Sequence, residues 1–187
     1  MRVIAGTARS IPLKAPPGYD TRPTSDKTKE TLFNVLMPHI EASRFLDLYS
    51  GSGGIGIEAL SRGAREAVFV ERNKVAASCI KDNLKKTCLE DKARLMHTDV
   101  MTALFNLEGH AVFDIVFMDP PYGQGYEKEV LSHLSGSKII DDDSIIVVEC
   151  LNGTDFDYLD AMGFDTVKTK KYKSNSHVFL KRSKKED

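Results

Sequence analysis

From Phe45 onward, short β-rich runs alternate with amphipathic stretches, and this alternation limits the fold more than any other feature of the chain. The runs are Phe45–Tyr49, Ala67–Glu71, Arg94–His97, Phe113–Met118, Ser144–Cys150, Thr166–Tyr172 and His177–Leu180. Between them, Ile55–Ser61, Asn73–Leu89 and Glu127–Leu134 carry apolar residues at helical spacing, and Asn73 is suited to cap the second. Seven strands with intervening helices predict an α/β fold around a mostly parallel sheet. The last two runs are joined by Lys173-Ser174-Asn175-Ser176, too short for a crossover helix, so they should pair as an antiparallel hairpin.

Upstream, Arg2–Ala5 and Ile11–Ala15 flank Gly6–Ser10 and suggest a small β-hairpin, followed by a turn-rich stretch. A helix is expected over Asp26–Met37, capped by Ser25. The 187 residues fit a single domain, with residues 1–25 as an extension and 26–187 as the core.

The net charge of -1 hides an asymmetry. Residues 1–30 hold six Lys/Arg against three Asp/Glu, and residues 166–187 hold eight against two, so both ends are basic around an acidic middle. Such ends suit nucleic-acid phosphates and also occur as solubilising features. No apolar stretch is long enough to span a bilayer and no secretory signal opens the chain, which predicts a cytoplasmic protein with no membrane partner. Cys79, Cys88 and Cys150 lack metal-site spacing and are read as reduced, buried residues. His97, His133 and His177 sit without evident partners and are given no role.

Two motifs carry chemistry. The first, Asp47-Leu48-Tyr49-Ser50-Gly51-Ser52-Gly53-Gly54-Ile55-Gly56, joins the first core strand to a helix, where glycines allow a tight turn and close ligand approach. Gly51, Gly53 and Gly56 satisfy the dinucleotide fingerprint, and Glu71 ends the next strand at the distance expected of a ribose-binding acid. A nicotinamide oxidoreductase is therefore one reading. Asp47 and Asp99 argue against it, because three carboxylates around an anionic pyrophosphate are unfavourable. They suit S-adenosylmethionine, which carries an ammonium and a sulfonium and no phosphate. A bland alternative has both aspartates capping turns and the glycines only easing strand–helix packing.

The second motif, Asp119-Pro120-Pro121-Tyr122, follows the apolar strand Phe113–Met118 and so belongs at the carboxyl edge of the sheet, beside the glycine loop. Its prolines remove donors and fix φ, leaving rigid carbonyl acceptors. Acceptors of this kind can hold a planar amino group and favour its nucleophilic, pyramidal form, with Tyr122 stacking on the base. Alone, the same residues would read as a stiff turn. A non-catalytic RNA-binding module would need neither motif.

Together, Asp47–Gly56 and Asp119–Tyr122 resemble class I methyltransferases that modify exocyclic or amide nitrogens. Met1–Gly6, Leu13–Gly18 and Thr21–Thr24 further resemble the start of the RsmD family of 16S ribosomal RNA guanine-N2 methyltransferases. The resemblance implies a Rossmann-like, seven-stranded core with an N-terminal hairpin. It also implies S-adenosylmethionine as cofactor and transfer to a guanine amine in ribosomal RNA, with a partly or fully assembled small subunit as substrate; separately, a monomer is expected. Carried over by motif, Asp47, Ser50, Gly51 and Gly53 would line the methionine part, Glu71 the ribose, Asp99 and Val100 the adenine, and Asp119–Tyr122 the target base. Arg22 and Thr24 would close over the site. DNA adenine-N6 methylation shares the Asp119–Tyr122 chemistry and is the nearest alternative. The target base must be single-stranded or flipped to reach such a pocket. Arg2, Arg9, Lys14 and the Lys168–Lys173 cluster are the candidate phosphate contacts.

Overall fold

Seven strands form one sheet in the order β3-β2-β1-β4-β5-β7-β6. The computed structural model describes residues 1–16 and 25–184. In chain order the elements are α1 Asp26–Ile40, β1 Arg44–Leu48, α2 Gly54–Ser61, β2 Glu66–Val70, α3 Lys74–Thr87, β3 Ala93–Met96, α4 Val100–Leu107, β4 Ile115–Met118, α5 Tyr126–Gly136, β5 Ile145–Leu151, α6 Leu159–Met162, β6 Phe164–Lys171 and β7 Asn175–Arg182. The first five strands in the sheet order are parallel, and β7 runs antiparallel to both β5 and β6. The expected C-terminal hairpin is therefore present.

The central strands are apolar on both faces because helices cover both. Phe45, Phe69, Ile115, Phe117 and Val147 pack with α1, α2 and α3, while Leu46, Val70, Val116, Met118 and Val148 pack with α4, α5 and α6. The polar third run is explained by position, since β3 is an edge strand with Arg94 exposed. Two helices fall outside the sequence reading, α4 and the short α6. In α4, Val100, Ala103, Leu104 and Leu107 form the buried stripe of an ordinary surface helix. Helix α1 runs past Met37 through Pro38, and its last residue Ile40 is buried in the core.

The expected N-terminal hairpin is present as a short pairing, with Arg2 bridged antiparallel to Pro12 and backbone bonds from Val3 N to Ile11 O at 3.0 Å, Ser10 N to Val3 O at 2.8 Å and Leu13 N to Met1 O at 3.0 Å. Other backbone groups of this arm are satisfied by the core. The Ile4 and Ala5 amides donate to the Glu58 carboxylate at 2.8 and 3.0 Å, and Ala8 N donates to Ser61 Oγ at 2.9 Å. Gly6 holds φ at +82°, and a Cβ there would lie 1.7 Å from the Ser61 carbonyl oxygen, so only glycine lets the arm lie against α2. Further along, Asn83 of α3 clasps both backbone groups of Lys14 and the Ser52 carbonyl. The arm thereby bridges the helices that flank the glycine loop.

The reading of three buried cysteines holds for Cys79 and Cys150. Cys88 is exposed, because it ends α3 in the left-handed conformation with φ at +55°. No helix among the described residues is long and apolar enough to cross a membrane.

Candidate functional site

The sheet order reverses between β1 and β4, and in open α/β sheets ligands bind at that point, outside the carboxyl ends of the strands. Both motifs lie there. The loop after β1 and the tetrapeptide after β4 line one cleft of about 1020 Å³. Asp47, Ser50, Gly51, Glu71, Asp99, Val100 and Asp119–Tyr122 all border it. Gly53 does not border it. It caps α2 with φ at +80° and sets the turn from behind. Arg22 and Thr24 lie outside the described residues.

Tyr49 turns the chain off β1 with φ at +61°, an uncommon conformation for a bulky residue. The loop is then braced from inside. Ser50 Oγ donates to the Asp47 carbonyl at 2.6 Å and accepts from Val70 N at 3.0 Å. Glu71 clamps the loop to the next strand end, accepting from Gly51 N at 2.8 Å and Asn73 N at 2.7 Å. Gly56 packs helix on strand, since a Cβ there would approach the Phe69 ring to 2.3 Å. Asp99 caps α4 by accepting from Thr102 N at 2.9 Å, which holds its carboxyl below the usual range, so the bland capping role is present at this residue.

Asp47 is buried, and its carboxylate accepts from Gly56 N at 2.9 Å. Among the described residues no Lys, Arg or His pairs with it. Burial pushes its pKa up to about 7, the Gly56 amide opposes this, and the Glu71 carboxylate adds to it. A buried acid in this state fits a cationic ligand.

The raised pKa also has a stability consequence. The folded chain retains on Asp47 a proton that the unfolded chain releases near pH 3.8, so this residue's contribution is fully present below that pH and is lost as pH rises to about 7. Unfolding measurements on the ligand-free protein should show Asp47→Asn gaining on the parent between pH 4 and 8, by on the order of a few kcal/mol. A difference that stays flat over that interval would mean that Asp47 is ionised throughout.

Across the cleft, Asp119 follows β4. Burial, reinforced by the carboxylates of Glu149 and Asp47, holds its carboxyl well above the usual range. Pro120 is buried, whereas Pro121 and Tyr122 are exposed at the cleft wall. Tyr122 is anchored by its hydroxyl, which donates to Glu149 Oε1 at 3.2 Å.

Glu149 and His177 are the residues that sequence reasoning misses. Glu149 lies in β5 and is buried, and it also accepts from Asn175 Nδ2 at 2.5 Å and bonds His177 Nε2 at 2.9 Å. His177, assigned no partner above, is fully buried and bonds the Tyr172 hydroxyl through Nδ1 at 3.1 Å. The available signal was the acid itself, a charge interrupting the apolar run Ile145–Leu151.

Of the candidate phosphate contacts, Arg2 pairs with Asp26 at 2.9 Å and Lys14 with Asp82 at 2.7 Å, leaving the arm less free charge than the sequence suggests. Lys168, Lys171 and Lys173 are exposed on or just beyond the edge strand β6. Lys173 borders the cleft.

Comparison with known proteins agrees with this architecture. The model of the family described as Conserved hypothetical protein 95 matches residues 1–181. The Bacillus subtilis protein YlbH is 41% identical over 150 residues, covering 80% of this chain and 82% of the relative. Ribosomal RNA small subunit methyltransferase D of Haemophilus influenzae is 37% identical, covering 80% and 78%. The solved structure of Escherichia coli yhhF superposes with a TM-score of 0.83 at 30% identity, covering 98% of each chain. With its strand order, its switch-point cleft and these relatives, the chain belongs to the RsmD family of class I methyltransferases.

Proposed function

We propose that this protein transfers a methyl group from S-adenosylmethionine to the exocyclic N2 amine of a guanine in small-subunit (16S) ribosomal RNA. The observation that carries the reading is the meeting, in one cleft, of a buried acid at the end of β1, unpaired among the described residues, with the rigid Asp119–Tyr122 segment. The relative from Haemophilus influenzae, named a ribosomal RNA small subunit methyltransferase, directs the choice of substrate.

The residues fit the cofactor. Asp47 offers a buried negative charge to its cationic methionine end, and the loop at Ser50 and Gly51 gives the close approach that end needs. Glu71, already fixed by two amides, faces the ribose position. Asp99 and Val100, at the start of α4, border the adenine position. When bound, the cofactor supplies an electrophilic methyl on a sulfonium.

The chain's own part is orientation. The Asp119 carboxyl and the Pro120 carbonyl accept hydrogen bonds from the guanine amine, drawing its lone pair out of conjugation and toward the methyl. Tyr122, held by Glu149, supplies a stacking face for the flipped base. When ionised, Asp119 can take the proton that the product nitrogen loses, and burial favours that uptake by raising its pKa. The exposed lysines at β6 contact RNA phosphates beside the cleft.

Methyl-labelled cofactor, offered with deproteinised rRNA, assembled small subunits or duplex DNA, should label N2-methylguanine in small-subunit RNA. Label in N6-methyladenine of DNA would show the wrong substrate. Binding of NAD in preference to S-adenosylmethionine would show the wrong cofactor.

A further inference from the structure

Glu149 and Asn175 are placed to do more than hold Tyr122. The parallel register pairs Met118 with Val148, so Asp119 and Glu149 follow at the same step on neighbouring strands. Beyond them, Glu149 pairs with His177, and Asn175 pairs with Leu151. The side chains of Asp119, Glu149 and Asn175 all border the cleft. Across the carboxyl edge of the sheet they present an acceptor, a second acceptor and an amide donor.

That order matches the edge of one base. Guanine offers its N2 amine, its N1–H and its O6 in sequence, two donors and then an acceptor. Adenine offers an amine and then a bare N1, whose lone pair would face the Glu149 carboxylate. We propose that Glu149 and Asn175 are the specificity residues of the cleft, Glu149 accepting from guanine N1–H and Asn175 donating to O6, while Asp119 and Pro120 hold the amine. The inference rests on the guanine reading above and deepens it.

The side chains have the capacity. An ionised carboxylate has about four acceptor sites. Tyr122 and Asn175 fill both sites on Glu149 Oε1 and His177 takes one on Oε2, so the site left for N1–H is the second on Oε2. The Asn175 amide carries two N–H groups, and the contact with Glu149 uses one. His177 on Oε2 fixes the carboxylate plane, and the Tyr172 hydroxyl fixes His177 in turn.

The test compares guanine with 2-aminopurine, which keeps the N2 amine but has a bare N1 and no O6. Small subunits are reconstituted around RNA carrying either base at the methylated position, and single-turnover methyl transfer is measured. The parent should favour guanine by about 100-fold or more, the scale of a site whose polar groups are left unpaired by the analogue. Glu149→Leu and Asn175→Ala should each narrow that preference at least tenfold with S-adenosylmethionine affinity unchanged. Should Glu149→Leu fail to fold, having stranded His177, Asn175→Ala leaves the Glu149–His177 pair in place and decides alone. A preference that survives in the folded variants, or is absent from the parent, overturns the assignment and leaves Glu149 only a brace for Tyr122. Parent enzyme that labels adenine instead overturns the proposed function, and this inference with it, before any variant is made.

Discussion

Asp119→Ala is expected to lower methyl transfer by about 10²- to 10³-fold in kcat, the scale for removing one preorganised polar contact to a reacting group. The affinity for S-adenosylmethionine should change little. The two halves of the prediction separate because Asp119 belongs to the base side of the cleft, whereas the loop after β1 stands on its own internal bonds. Ser50, Glu71 and Gly56 hold that loop without any contact to Asp119. One coupling runs between the halves. The Asp47 charge contributes to the raised pKa of Asp119, whereas the groups that shift Asp47 are burial, the Gly56 amide and Glu71, so removing Asp119 should leave the cofactor side nearly unchanged. Calorimetric binding of S-adenosylmethionine beside single-turnover rates would check both. A parallel loss of binding and rate would move Asp119 to the cofactor side.

The sheet was legible in the sequence because its central strands are covered on both faces and so read as apolar runs. Ile145–Val148 and Ile115–Met118 announce themselves this way. Edge strands do not. Along β6, Asp165 to Thr169 are exposed, and the strand's reach back to Phe164 comes from pairing with Arg182, a partner that no local pattern discloses.

The site was half legible for a similar reason. Asp47 to Gly56 and Asp119 to Tyr122 are contiguous, so their chemistry can be read from spacing. Glu149 and His177 stand 28 residues apart and meet only through the register of β5 on β7. The N-terminal hairpin was legible because its two runs pair with each other, but its docking was not, since the amides of Ile4 and Ala5 find Glu58 of α2, a partner 54 and 53 residues away. Asp99 has both places weighed for it, bordering the cleft and capping α4, a helix outside the sequence reading.

Glu58→Ala should destabilise the protein by about 3–5 kcal/mol, the cost typical of breaking a buried ion pair from one side. Glu58 and Lys29 are both fully buried, with Lys29 Nζ 3.0 Å from Glu58 Oε2 and 2.5 Å from the Arg2 carbonyl. Arg62 adds a second cation, its Nε 2.8 Å from Glu58 Oε1, and the two arm amides complete the set. Removing the acid therefore leaves a buried ammonium and two backbone donors unpaired at once. Lys29 has one escape: burial already holds its pKa below the ordinary value and Glu58 is the main opposing influence, so without Glu58 it can shed its proton. That relief keeps the loss from growing further.

Lys29→Met should cost less, because Arg62 still faces the carboxylate, and the double variant Lys29→Met with Glu58→Leu should recover part of the loss by replacing ions with apolar volume. Denaturant unfolding gives the cycle, and amide exchange at Ile4 and Ala5 reports the arm directly. Because Met1, Ala15 and Pro16 of that arm border the cleft, its release should also weaken cofactor binding. Loss of stability with exchange at Ile4 and Ala5 unchanged would show that the ion pair supports α1 and α2 alone. Faster exchange and weaker binding together would establish that the buried network holds the arm closed over the site.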